Sequence, residues 1–242
     1  MGLFTTPSKL TNVKNLTGIV VVVGGYGSGK TEVSINLAIN RKRAGLDVRV
    51  ADLDLVNPYF RTREAKETLS KLDIDVVVPP KQYLQADLPI LSPAISGLIR
   101  QPSQLTLIDA GGNNVGAKVL GALSDALRDK RVHMLQVVNP FRPFTDTVTG
   151  CTKMREEIDK ASKMRISGIV GNANLIDETT TESIYYGYDF VRSLSDKSRL
   201  PLEFVTVESH LLPKIDIKRF SCPVLPINRQ LVPPWKKAAK VG

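Results

Sequence analysis

Two patterns of apolar spacing alternate along the chain. Short runs rich in apolar residues occupy 19–23, 47–53, 74–78, 105–108, 132–138, 166–170, 202–207 and 224–227, and the first of them, Ile19 to Val23, is apolar at every position. A run without polar alternation is what a strand shows when helices cover both faces of a parallel sheet. Between these runs, apolar residues return every three or four positions, the spacing of a helix packed on one side. Helices are therefore predicted after residue 29 (Val33, Leu37, Ala38), over 64–72, over 115–127, from Thr145 or Asp146 to Met164, and over 179–194, with one helical face suggested by Ile95, Leu98 and Ile99. Strand and helix in alternation predict an α/β chain with a parallel sheet.

The boundaries carry most of the chemistry. The first apolar run breaks into Gly24-Gly25-Tyr26-Gly27-Ser28-Gly29-Lys30-Thr31-Glu32 before helical spacing begins, a full G-x-x-x-x-G-K-[ST] pattern between a strand and a helix. Successive N–H groups from Gly25 to Lys30, and the unpaired amides at the helix start, can line one concavity for a polyphosphate. Lys30 then supplies a point charge to the β/γ-phosphates, and the Thr31 hydroxyl supplies an oxygen for a bridging Mg²⁺.

Acids close two of the other strands. Asp52 and Asp54 sit two residues apart at the end of 47–53, where open parallel sheets place ligands. Asp109 ends 105–108 and is followed by Gly111 and Gly112, as a carboxylate that orders a Mg²⁺ shell would be. The segment 57–63, with Asn57-Pro58 as a turn signal and Arg61 or Arg63 available for a phosphate or an acidic group, reads as a switch or substrate loop. Asn172 follows 166–170 on the same side and offers both a donor and an acceptor to a base edge. Residues 81–102, interrupted by Pro89 and Pro93, suggest a lid or partner surface. His133 lies inside a strand and reads as structural, as do Tyr185, Tyr186 and Tyr188 on the helix 179–194.

Composition narrows the field. No linker divides residues 1–242, which read as a single domain, and no apolar run approaches the length of a membrane span. The start lacks a basic flank followed by a long apolar region, so the expectation is a cytoplasmic protein. Cys151 and Cys222 stand far apart without a C-x-x-C partner, which disfavours disulfide and zinc chemistry and predicts buried, unreactive thiols. A net charge of +9 permits DNA or an anionic membrane as partner, but the basic residues are scattered, the densest groups being Arg41-Lys42-Arg43 and Lys236-Lys237.

Taken in order, 24–31, Asp52-Leu53-Asp54, 107–112, Val138-Asn139-Pro140 and 168–172 resemble the MinD/ParA/Mrp type of P-loop ATPase, within the SIMIBI class that also holds the CobQ/CobB-like synthetases. The likeness runs from about residue 18 to 230. It implies a three-layer P-loop NTPase fold, with a mostly parallel sheet of seven or eight strands between helices, binding ATP and Mg²⁺. It also implies that Lys30, Thr31 and Asp109 serve phosphate and metal, that Asp52 joins the metal site, that Asp54 positions water and that Asn172 meets adenine. One departure stands out. The family's dimerising members carry a second lysine early in the loop, reaching across a homodimer, where this chain has Gly25. Arg61 or Arg63 is then the candidate source of that charge. The first functional reading is a slow ATPase whose nucleotide state switches loops 54–63 and 110–116 and so controls a protein partner. An ATP-dependent synthetase or kinase acting on a small carboxylic acid is the alternative, and a DNA or membrane binder a third.

Overall fold

The computed structural model describes residues 13, 16–54, 62–78, 93–111 and 114–231, the side chains of residues 63, 64, 114 and 115 excepted. Eight strands form one sheet: β1 (Gly18–Gly24), β2 (Val48–Leu53), β3 (Asp75–Val77), β4 (Leu105–Ala110), β5 (Val132–Val138), β6 (Gly168–Gly171), β7 (Leu202–Glu208) and β8 (Val224–Ile227). Their order is β3-β2-β4-β1-β5-β6-β7-β8, and every neighbouring pair is parallel. All eight apolar runs thus become strands, and the α/β expectation holds with the upper strand count.

Among the described residues six α-helices cover the sheet: α1 (Lys30–Arg43), α2 (Lys66–Lys71), α3 (Pro93–Arg100), α4 (Asn114–Leu127), α5 (Val148–Ser162) and α6 (Thr181–Ser198). The period of two sorts each strand between two cores. Val20 and Val22 of β1 join Val33 and Leu37 of α1 and Leu69 of α2 on one face. Ile19, Val21 and Val23 join Ile95, Leu98 and Ile99 of α3, Leu120 and Leu123 of α4 and Ile158 of α5 on the other. A third cluster sets Tyr188 and Val191 of α6 against Val205 and Val207 of β7. Burial of large side chains such as Phe204 and Phe220, each worth about 1.5–3 kcal/mol, holds the layers together.

Local chemistry sets several ends. Gly45, in the left-handed region at φ +89°, terminates α1 by donating its N–H to the Lys42 carbonyl, as predicted for a glycine just past a helix. The cap of α5 is Thr147, whose hydroxyl accepts from Gly150 N at 3.1 Å, and not Thr145 or Asp146. Thr145 is drawn away because its own hydroxyl donates to the Asn139 carbonyl at 2.7 Å. Residues 62–65 form a 3₁₀ turn before α2, so the α-helix predicted from residue 64 starts two residues later. Of the suggested lid, only 93–102 is described, and its apolar face is α3 packed into the core.

The strand order positions the site. β1 lies between β4 and β5, while the chain leaves β1 towards β2 on one side and later crosses to β5 on the other. At the carboxyl end of β1 the connections diverge, opening a crevice of the kind that holds ligands in open parallel sheets.

The Thr180 hydroxyl accepts from Ser183 N, and the Ser183 hydroxyl accepts from Thr180 N, a reciprocal box at the start of α6. Thr180→Ala should lower stability by about 1 kcal/mol, seen as a lower urea midpoint with an unchanged slope.

Candidate functional site

Residues 24–29 fill the crevice at the end of β1. A tight turn runs from the Gly25 carbonyl to Ser28 N (3.2 Å), so the Ser28 amide is used within the loop and does not join the outward N–H row expected of it. Gly29 ends the turn at φ +87°, and a Cβ there would collide with Asn172 Nδ2. Only glycine satisfies both the dihedral and the contact. The first α-helical bond runs from Val33 N to the Gly29 carbonyl, which leaves the amides of Lys30, Thr31 and Glu32 without helical acceptors. These three N–H groups and the positive end of α1 face the crevice mouth.

Lys30 folds back over the loop, donating from Nζ to the Gly25 carbonyl at 3.0 Å. Burial pushes its pKa down, while the charges of Asp109 and Asp54 oppose that shift. The acids converge from separate strands. Asp52 of β2 and Asp109 of β4 are direct partners in the ladder, and both are fully buried. Asp54 N donates to Asp52 Oδ1 at 3.1 Å, and the Asp54 carboxylate lies against Gly111.

Asp109 is the most perturbed of these groups. Its Oδ2 accepts from the Thr62 hydroxyl at 2.8 Å, and its Oδ1 is buried without a hydrogen bond among the described residues. Burial first, and then the Asp52 charge, raise its pKa to about 7, against the pull of the Thr62 and Thr31 hydroxyls and the Lys30 ammonium. Two like charges side by side in a desolvated pocket cannot both ionise freely.

The structure brings Gly25, Gly27, Ser28, Gly29, Lys30, Thr31, Asp52, Asp54, Asp109 and Asn172 to one end of the sheet. Tyr26 stands at the loop tip, 79% exposed. Glu32 contributes its main chain only. Its carboxylate turns away, accepting from Gln230 N (2.7 Å), Leu231 N (3.0 Å) and Asn36 Nδ2 (2.9 Å). The Asn172 amide donates to the Ser28 carbonyl at 2.7 Å and accepts from the Thr206 hydroxyl at 2.5 Å, bracing the loop from β6 and β7. Arg61 and the 55–61 loop lie outside the described residues. Thr62 lies in the segment 57–63 read as a switch or substrate loop, although no role was given to it, whereas Thr206 and Arg142 were missed. Arg142, four residues beyond a strand's carboxyl end, carried a positional signal.

The surroundings fit a triphosphate with Mg²⁺. The buried Ser28 Oγ and Asp109 Oδ1 have no hydrogen-bond partner among the described residues, and the loop is closed to any Cβ at Gly29. Among the described residues no three His, Cys, Asp or Glu side chains form a metal cage. Mg²⁺ at nucleotide sites uses one or two protein oxygens together with phosphates and water, so Thr31, Asp52 and Asp109 suffice as a donor set.

Elsewhere the expected quiet residues are quiet. Cys151 and Cys222 are free and buried, with pKa values pushed up to about 12 and about 11 mainly by desolvation. Arg41 is buried and Lys42 pairs with Asp73 at 2.6 Å, which removes two of the three cations from the basic group considered as an anionic contact. Among the described residues no helix is long and apolar enough to cross a membrane.

The raised pKa of Asp109 fixes a pH dependence. The native chain keeps this proton up to about pH 7, whereas the unfolded chain loses it near pH 4. Stability therefore falls as pH rises through that window and is level above it. Asp109→Asn should match the parent near pH 4 and exceed it above pH 7 by up to about 4 kcal/mol, measured by urea unfolding without Mg²⁺ or nucleotide.

No known protein-family pattern matches the chain, and no curated protein matches it. Solved structures do. The cell division protein FtsY of Thermotoga maritima is 18% identical, with a TM-score of 0.55 over 84% of this chain and 66% of that one. FtsY of Mycoplasma mycoides is 18% identical, with a TM-score of 0.53 over 78% and 59%. The signal recognition particle receptor FtsY of Elizabethkingia anophelis, in complex with GDP, is 17% identical, with a TM-score of 0.50 over 78% and 57%. This chain thus spans about 57–66% of the length of these FtsY proteins. What the likeness establishes is the fold alone: a three-layer α/β arrangement of the P-loop NTPase kind, with helices on both faces of a sheet that is all parallel.

Proposed function

We propose that the chain is a Mg²⁺-dependent nucleoside triphosphate-binding protein, a slow ATPase of the MinD/ParA-like kind whose bound nucleotide controls contact with a protein partner. The observation that carries this reading is the meeting of the 24–31 loop, with Lys30 and Thr31, and the buried pair Asp52 and Asp109 at one crevice. A cradle of amides with an ammonium at its centre suits a triphosphate. Two carboxylates and a hydroxyl beside it suit the hard cation that accompanies one. When bound, Mg²⁺ supplies charge neutralisation at the β- and γ-oxygens.

The chain's own groups do the rest. The amides of Lys30, Thr31 and Glu32 bind phosphate oxygens through the helix start. Lys30 exchanges its internal bond to the Gly25 carbonyl for phosphate. Asp54, against Gly111, orients the attacking water. The switch would act through Thr62, whose hydroxyl donates to Asp109 Oδ2. If Asp109 helped to hold a metal it would give up that bond, freeing Thr62 and the 3₁₀ turn that it begins. Asn172 is the residue proposed for the base, and adenine is the base that the ordered motifs support. The FtsY of E. anophelis in complex with GDP makes guanine the comparison to run.

In equilibrium titrations with Mg²⁺, ATP should bind more tightly than GTP, and Lys30→Ala should abolish binding of either. Unchanged affinity in the lysine variant would remove the site. Tighter GTP binding would retain the site and overturn the choice of base.

A further inference from the structure

A site that cleaves a γ-phosphate needs a cation on the terminal oxygens in addition to the loop lysine. The second loop position offers none. It is Gly25, and the space beside it is filled from the α5 side: a Cβ there would lie 3.0 Å from Met154 Cε and 3.6 Å from Thr145 Cγ2. A side chain at this position would have to displace Met154.

A different cation reaches the loop two residues further on. Arg142 lies in the 139–147 segment, which the buried Asn139 organises: the Asn139 carbonyl accepts from the Thr145 hydroxyl (2.7 Å) and Arg142 N (3.2 Å), and Asn139 Oδ1 accepts from Phe141 N (3.1 Å). Phe144 is held at φ +67°, a conformation unfavourable for a bulky residue that persists only where surrounding bonds impose it. From this braced segment Arg142 Nε donates to the Gly27 carbonyl at 3.2 Å. Its Nε, Cδ and Cζ lie 3.4, 3.5 and 3.9 Å from where a Gly27 Cβ would stand, so the side chain lies close against the middle of the loop.

Most of that guanidinium is uncommitted. It makes one hydrogen bond and no ion pair among the described residues, although the group carries five donors. An arginine fixed at one nitrogen, laid over a phosphate loop and without a carboxylate to pair with, is arranged for an anion.

We propose that Arg142 is the cation that this chain supplies to its own phosphate site, gripping the terminal phosphate of the nucleotide held by residues 24–31 and stabilising the charge that builds there during cleavage. It takes over, within one chain, the part that Gly25 leaves open. In that cleavage the water oxygen forms the new bond to the γ-phosphorus. The bond from phosphorus to the β–γ bridging oxygen breaks with its electron pair left on the diphosphate, and the water's proton ends on the released phosphate or in solvent. The inference rests on the nucleotide reading above.

The test compares the parent with Arg142→Ala and Arg142→Lys, using ADP and GDP with Mg²⁺, each with and without aluminium fluoride as a mimic of the transferring phosphoryl group. Melting temperature without nucleotide checks that the variants fold. Diphosphate affinity should change by less than about threefold in both variants. The extra thermal stabilisation given by the fluoride should be lost in Arg142→Ala and partly kept in Arg142→Lys, and turnover should fall by about 10³-fold in the alanine variant. Equal losses of diphosphate affinity and of the fluoride increment would show that Arg142 only braces the loop, and an unchanged increment would show that it does not act; either overturns the proposal. A parent that binds neither diphosphate would instead overturn the nucleotide reading itself.

Discussion

Burying ionisable groups at the carboxyl ends of two inner strands is the constraint on which the structure turns. Asp52 and Asp109 stand side by side in the ladder and are fully withdrawn from water, with Asp54 just beyond them. Charges so placed persist only with compensation. It comes from the Lys30 ammonium, the Thr31 and Thr62 hydroxyls and the open first turn of α1. None of these could be moved to the far end of the sheet, because the dipole of α1 and the unpaired amides point only one way. The result is a pocket that is electrostatically uneasy, as the raised pKa of Asp109 shows, and such unease is characteristic of sites that bind or react.

Around that pocket the polar side chains serve as struts. Asn172 joins the loop to β7 through the Ser28 carbonyl and the Thr206 hydroxyl. Asn139 donates to the Asn174 carbonyl at 2.8 Å and so binds the segment after β5 to the segment after β6. Glu32 and Asn36 hold the stretch after β8, accepting from Gln230, Leu231 and Asn228 N. Three segments, after β5, β6 and β8, thus share bonds with the loop or with the first two turns of α1. A change in what the loop holds is therefore felt at each of them through direct contacts.

Much of this was legible from residues alone. Eight runs rich in apolar residues became eight strands, because such runs alternating with helix-spaced segments fit the interior of a parallel sheet. Gly45 and the 24–31 pattern could be read because local backbone chemistry, not distant packing, decides turns and helix ends. The acids at 52, 54 and 109 were visible for the same reason: a carboxylate that closes an apolar run lies where strands meet solvent. The misplaced cap at Thr145 shows where such reading fails, since Thr147 won only because a carbonyl six residues earlier in the chain drew Thr145 away.

Sequence by itself determined the elements, their parallel pairing and a glycine-rich G-x-x-x-x-G-K-[ST] loop with acids at nearby strand ends, since each follows from side-chain period, glycine dihedrals or the reach of a neighbouring residue. Tertiary structure alone decided the strand order that sets Asp52 against Asp109, the turning of the Glu32 carboxylate towards residues 230 and 231, the bracing of the loop by Asn172 and Thr206, and the placing of Arg142 over Gly27. These contacts join residues from 34 to 199 positions apart. Spacing along a chain has no bearing on such distances, which the packing of layers alone brings to hydrogen-bond length.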